Sequence, residues 1–319
     1  MDNFLTVAQQ VAVLFVLIGA GALMRKTRLL ADAGVAGLVN VLILVVTPCL
    51  IVDVFQRPFD PAKLKGLGIA FVVAALAHAV LIVLSGFAVR HRDDDVRRPL
   101  QLAAVFSNAG FMGIPLEQAI LGDAGVFYGI VYVVVFNLFM WSWGYSVMRN
   151  ADCRMRNGRD VRASCLNLRS LVNPGTVGIA CGLPLFFCSV KLPAVIGVPI
   201  HHLANLNTPV AMIVIGYALA GAEFRRVAKS AAPYVATAIR LVGCPLLVIA
   251  GLFPFRHALD RNLMLATVIA ASAPAAAMVS MFAAKFNRDV DVSVAVVSGT
   301  TLLSILTMPV VIALAMAVL

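Results

Sequence analysis

The chain has 319 residues, of which 61% are hydrophobic and 13% charged, with a mean hydropathy of +0.97. That composition leaves too little polar surface for a soluble globule of this size, so it excludes a soluble enzyme, a disordered protein and a secreted disulfide scaffold. A multi-spanning membrane protein fits, and the net charge of +10 then reads as topogenic charge and lipid contact, with no nucleic-acid partner.

Ten apolar stretches are long enough to cross the hydrocarbon, which takes about 20 residues. They fall at 4–24, 36–55, 66–89, 100–121, 124–148, 171–190, 203–222, 232–253, 262–284 and 291–318. The first is no cleavable signal, because Asp2 leads it and Arg25, Lys26 and Arg28 follow it. Of the 25 lysines and arginines, 18 lie in odd-numbered loops and 6 in even-numbered ones, with Arg240 inside a span. Positive-inside therefore places the odd loops in the cytoplasm and both termini outside.

The connection 149–170 is the most polar part of the chain and separates two five-span halves, 1–148 and 171–319. An odd number of spans per half requires the second half to run inverted. Gly21 and Gly182, Pro48 and Pro209, and Pro115 and Pro274 stand 161, 161 and 159 residues apart, as an inverted repeat would place them. The expected fold is all-α: ten transmembrane helices in two inverted five-helix repeats.

The fourth span, LQLAAVFSNAGFMGIPLEQAI, gathers Ser107, Asn108, Gly110, Gly113 and Pro115 at what should be mid-membrane. Glycine weakens a helix, and proline removes a backbone bond and clashes with the preceding turn. Irregular backbone at that depth is tolerated only inside protein or beside a cavity. The ninth span carries a matching AASAPAAAMVSMF, with Ser272 and Pro274. Two broken, crossing helices at equivalent places in inverted halves would offer half-helix N-termini to an anion. A kinked helix with glycine at a helix contact is the plainer alternative.

The segment from Asn108 to Leu116, NAGFMGIPL, resembles the motif of the auxin efflux carrier family, which includes the plant PIN exporters. Asn173-Pro174, Asn137 with Trp141, Pro274 followed by FAAKFN over 282–287, and LSILTMP over 303–309 are similar to further family segments. The long hydrophilic loop of many plant members is absent, so the likeness is to the compact microbial type. The resemblance implies a scaffold of spans 1, 2, 6 and 7, and a transport domain of spans 3–5 and 8–10 moving against it as an elevator. The family carries organic anions such as malate, malonate or auxin, so the resemblance implies an organic-anion substrate without implying auxin itself, together with a bacterial inner-membrane location and a homodimer through the scaffold. Asn108, with Ser107, Gly110 and Gly113, would bind the substrate carboxylate, Pro115 and Pro274 would shape the crossing beside Ser272, and Asn137 and Asn173 would be secondary contacts. Asn173 reads equally as an ordinary helix N-cap, and Asn137 as an interhelical hydrogen bond.

His78 and Arg240, 162 residues apart in spans three and eight, are candidates for the anion path or for coupling, with protons as a candidate coupling ion. The alternatives are an Arg240 that snorkels to the cytoplasm and a His78 satisfied by a neighbour. Asp53 and Glu117, near span ends, read as interfacial, with proton carriage by either as the alternative. Asp93-Asp94-Asp95 stands among basic residues as self-neutralising surface charge, and His201-His202 lacks a third ligand. Cys49, Cys153, Cys165, Cys181, Cys188 and Cys244 form no CxxC pair, so neither a disulfide, a metal nor a cofactor is expected. The expected function is a secondary active transporter, not an enzyme. The alternative is a sodium-coupled symporter of the bile-acid type, against which stands the lack of any acid in the ninth span.

Overall fold

The computed structural model describes residues 2–56, 58–149, 174–221 and 230–319. Asn173 and nearly all of the 149–170 linker lie outside the described residues. Among those residues the fold is all helix, with one isolated antiparallel bridge between Ser107 and Ala275. Helices α1 (Asp2–Lys26), α2 (Asp32–Val41), α3 (Thr47–Phe55) and α4 (Pro61–Ala88) lead into α5 (Asp94–Val105), α6 (Ile114–Leu121), α7 (Asp123–Phe139) and α8 (Tyr145–Arg149). After the linker come α9 (Pro174–Phe187), α10 (Ala194–Ala204), α11 (Asn207–Leu219), α12 (Ala232–Ala238), α13 (Cys244–Leu252), α14 (Arg261–Ser272), α15 (Met278–Lys285) and α16 (Val290–Val318).

Six helical stretches among the described residues are long and apolar enough to cross a membrane: Asp32–Phe55, Lys63–Ala88, Asp123–Arg149, Ala194–Leu219, Ala232–Phe255 and Val290–Val318. Side chains such as Val195, Phe87 and Leu306 point outward and are at least 70% exposed, which suits lipid rather than water. The seventh expected span starts earlier than 203, because α10 already extends it back to Ala194 through apolar residues that face outward.

Several long helices are assembled from two α segments joined by a π-turn, and proline explains most of these joints. The π-turns Leu42–Val46, Ala109–Gly113 and Ile239–Gly243 each stand just ahead of a proline, at Pro48, Pro115 and Pro245. Proline supplies no N–H and its ring crowds the preceding turn. Widening that turn by one residue, as in Thr47 N–H bonding to Leu42 O, carries the helix past the obstacle.

Two close crossings hold the first and second halves together. An added Cβ at Gly21 would stand 2.1 Å from the carbonyl oxygen of Ile213, and one at Gly216 would stand 1.9 Å from that of Ile18. Only glycine lets the α1 and α11 backbones approach so far. Arg25 Nη1 donates to Tyr217 O (3.1 Å) and Tyr217 Oη donates to Asp32 Oδ1 (2.8 Å) at the end of the same crossing. Helix α9 meets α3 through Gly178 and Gly182, whose added Cβ atoms would lie 3.0 Å from Pro48 Cα and 3.1 Å from Phe55 Cβ. Asp53 Oδ2, 2.9 Å from His201 Nδ1, ties α3 to α10.

The other helices meet around α7 and α14, with α16 packed against both α14 and α5. Asp93, Asp260 and Asp289 are the N-caps of α5, α14 and α16, accepting from the N–H groups of Asp95, Asn262 and Val292. At the far end of α8, Arg98 Nη1 donates to Val147 O (2.8 Å), and Arg288 Nε and Nη2 donate to Met148 O (3.0 and 2.7 Å). Arg288 also pairs with Asp95. The triple-aspartate run is therefore a cap at Asp93 and three ion pairs, Asp94 with Arg97 and Arg98 and Asp95 with Arg288. Slight burial pushes the Asp94 carboxyl up, but the hydrogen bond from Arg98 and the charges of Arg97, Arg98 and Arg288 outweigh it and hold it below the usual range.

The α1–α11 crossing gives a direct prediction. Gly216→Val should cost at least the roughly 1–3 kcal/mol typical of overpacking, because the obstruction is backbone. Detergent-solubilised protein should show it as a lower melting temperature or loss of the monodisperse chromatographic peak; an unchanged melt would show that the two helices do not meet this closely.

Candidate functional site

The fourth expected span leaves the helix after Val105 and resumes at Ala109; the ninth leaves it after Ser272 and resumes at Met278. Pro274 accounts for the second break, since the residue before proline is pushed out of the α region, and Ala273 is extended with ψ 147°. The two breaks lie side by side and run antiparallel. Asn108 N–H donates to Pro274 O (2.6 Å) and Ala276 N–H donates to Phe106 O (2.9 Å). Ala275 N–H donates to Thr300 Oγ1 of α16 (3.1 Å). Four helix ends thus converge on one point inside the protein.

On one side of this crossing lies a cavity of about 460 Å³. Its walls come from α3 and its π-turn (Ile43, Thr47, Leu50, Ile51), from α9 and α11 (Pro174, Ile179, Asn207), and from the crossing and α7 (Ser107, Asn108, Gly110, Asn137). Trp141, Met281, Phe282 and Lys285 complete it. Most of the lining is apolar, and Lys285 is its one charged side chain among the described residues. The Lys285 ammonium sits 5.4 Å from the Tyr145 ring centre and 5.9 Å from that of Trp141. Aromatic faces near a cation hold it without neutralising it. An added Cβ on Gly110 would meet nothing within 4 Å, so glycine there leaves cavity space open.

The polar groups of the lining differ in how they are engaged. Asn137 Nδ2 donates to Val133 O of its own helix (2.8 Å), which leaves its oxygen to be used. Asn108 is 7% exposed and stands where the break meets the cavity. Asn207 is buried at the start of α11, and its Nδ2 has no hydrogen-bond partner. Ser107 Oγ is likewise buried without one. Buried polar atoms without partners are costly, so these donors are suited to a polar guest.

Of the sequence-predicted residues, Ser107, Asn108, Gly110 and Asn137 reach the cavity together. Gly113 instead packs on α14, where an added Cβ would stand 3.4 Å from Ala270 Cα. Ser272 turns its hydroxyl back to Ile269 O (2.9 Å) behind the crossing. Pro274 lies in the break itself, whereas Pro115 lies in the first turn of α6, so the two prolines do not hold equivalent places. Asn173 falls outside the described residues, although its neighbour Pro174 lines the cavity.

His78 and Arg240 are both fully buried on α4 and on the α12–α13 π-turn, and neither is among the residues lining the cavity. His78 Nδ1 lies 2.8 Å from Ala74 O, and its ring stacks on Phe139 at 5.5 Å. Arg240 does not snorkel; its guanidinium stays inside and binds backbone carbonyls at the crossing. Glu117 is not interfacial either. It is 1% exposed, its Oε2 has no partner, and its carboxyl fills the space where a Cβ on Gly129 would go.

Lys285, Asn207 and Thr47 line the cavity but were missed as site residues in the sequence. Lys285 counts there as loop charge, and Thr47 and Asn207 are unremarked residues within the second and seventh expected spans. A Thr-Pro pair in both halves, Thr47-Pro48 and Thr208-Pro209 with Asn207 beside it, is the one signal that could have raised two of them.

No curated protein matches the chain. A family model described as membrane transport protein, the domain of the auxin efflux carriers, matches residues 6–312. With nearly its entire length covered and apolar helices long enough to cross a bilayer, the chain belongs to the auxin efflux carrier family and is a multi-pass membrane transporter.

Proposed function

We propose that the protein is a secondary active transporter of a small organic anion, a mono- or dicarboxylate, working by elevator-type alternating access. The observation that carries this reading is the cavity at the paired breaks, with amide groups in its lining and, among the described residues, one cation in its wall. The helix starts at Ala109 and at Met278 both border the cavity with the positive ends of their dipoles, although in α15 Val279 N–H and Ser280 N–H already donate to Ala276 O and Ala277 O. These starts present partial positive charge to a carboxylate. Asn108 and Asn207 add amide donors, Lys285 adds long-range attraction, and the apolar walls accept the body of the anion.

In this reading α1, α2–α3, α9 and α10–α11 are the scaffold, and α4–α8 with α12–α16 are the moving domain. The cavity supports that division, because its walls come from both groups. The inverted pairing of residues 1–148 with 171–319 as two five-helix repeats draws support from the glycine contacts. Gly21 of the first span packs on α11 of the seventh, while Gly182 of the sixth packs on α3 of the second. The reading includes a homodimer through the scaffold and a bacterial inner-membrane location with both termini outside. Protons are the coupling ion that fits, and Glu117, sealed between α6 and Gly129 of α7, is the acid to carry them.

A melting-shift screen of purified protein against mono- and dicarboxylates should identify a stabilising anion. For that anion Asn108→Ala should weaken binding by roughly 10- to 100-fold, the loss expected for a hydrogen bond to a charged group; unchanged affinity and flux in proteoliposomes would remove Asn108 from the site. Lys285→Met should raise the apparent KM by roughly threefold or more and flatten its dependence on salt, because screening acts only on a charge that is present. An equally steep salt dependence in the variant would show that Lys285 does not attract the anion. Glu117→Gln should abolish the response of uptake to an imposed pH gradient while downhill exchange continues, and a retained pH response would place coupling elsewhere.

A further inference from the structure

The far side of the crossing, away from the cavity, poses an electrostatic problem of its own. Helices α5 and α14 end there, at Val105 and Ser272, inside the protein. The last carbonyls of a helix lack intrahelical partners, and each C-terminus acts as about half a negative charge. Two such ends converging in an apolar interior present about one full negative charge with no water to screen it. In carriers built on interrupted helices, half-helix C-termini and unwound carbonyls are where a coupling cation binds.

Here that place is filled from within the chain. Arg240 Nη1 donates to Val105 O (2.7 Å), and Nη2 donates to Ala271 O. One guanidinium therefore grips the last turn of both half-helices. Its described hydrogen-bond partners are carbonyl oxygens rather than a carboxylate, so its charge is matched by the helix ends. Tyr132 and Cys244 are its polar side-chain neighbours, and His78 lies close enough to feel its charge. The residue is fully buried, and a guanidinium stays protonated in any protein environment. Its planar fork suits two acceptors at once, which a lysine ammonium on a flexible stem does not.

We propose that Arg240 is the resident counter-cation of the crossing, occupying the position where the two helix C-termini would otherwise recruit a free cation, so that the carrier binds no alkali metal ion there. Arg240 rides on the π-turn between α12 and α13, so the charge travels with the crossing throughout a transport cycle. That consequence rests on the transport reading, whereas the charge pairing does not. Arg240 is a positioning residue, since it holds the half-helices in register and does not line the cavity.

The test uses purified full-length protein and no substrate. Wild type should show no saturable binding of radioactive sodium and the same melting temperature in sodium chloride as in choline chloride at equal ionic strength. Arg240→Ala should melt roughly 5–10 °C lower, as breaking a buried charge pairing does in a chain of this size. Millimolar guanidinium should restore a large part of that loss and leave wild type unmoved, a response that a merely packed side chain would not give. Arg240→Lys should melt between the two, and it carries the comparison if Arg240→Ala does not fold. Saturable sodium binding by wild type, an equal guanidinium effect on wild type and variant, no effect on the variant, or Arg240→Lys no more stable than Arg240→Ala would each overturn the proposal. If no carboxylate stabilises the protein while these results hold, the organic-anion reading fails and the counter-cation stands.

Discussion

Every backbone polar group that a broken helix frees inside a membrane protein must find a partner, and the whole site follows from how this chain meets that demand. The breaks after Val105 and Ser272 satisfy each other through two backbone hydrogen bonds, borrow Thr300 from α16, and give their carbonyl ends to Arg240. Without such partners each unsatisfied group would cost several kcal/mol in hydrocarbon. Once they are met, the crossing becomes a rigid floor with opposite electrostatic faces. One face has helix C-termini and a buried arginine; the other has helix N-termini and a cavity.

The same solution recurs at the edge of the bundle. Arg98 and Arg288 cover the last carbonyls of α8 much as Arg240 covers those of α5 and α14, and Arg25 reaches a carbonyl of α11. Arginine suits this work because its fork spreads several donors over a plane and never loses its charge. Part of the +10 net charge thus matches helix ends, beyond its role in setting topology. Glycine plays the complementary part at Gly21 and Gly216, where two helices approach until their backbones touch.

The breaks were legible because their cause is local. Ser107-Asn108 with Gly110 and Gly113, and Ala273-Pro274, are poor helix sequence wherever they stand, and the structure departs from the helix within a residue or two of them. Three of the residues picked on that basis, Ser107, Asn108 and Gly110, line the cavity. Gly21 and Gly182 each lie at a close helix contact, whereas Pro274 lies in a break and Pro115 in the first turn of α6. Proline in a span has two outcomes, a break at Pro274 or a π-turn before Pro115, and the choice depends on what surrounds it.

Composition and the length of the apolar stretches were enough to establish a helical membrane protein, and a local motif was enough to locate two interruptions, since burial of polar backbone and proline sterics act over a few residues. The roles of Arg240, Lys285, Asn207 and Glu117 could not be read that way. Each is defined by groups far along the chain: Arg240 by carbonyls 135 and 31 residues away, Lys285 and Asn207 by a shared cavity, Glu117 by a glycine on the next helix. An arginine in a span looks the same in sequence whether it snorkels or caps two helices. The difference lies in which carbonyls the fold brings within its reach.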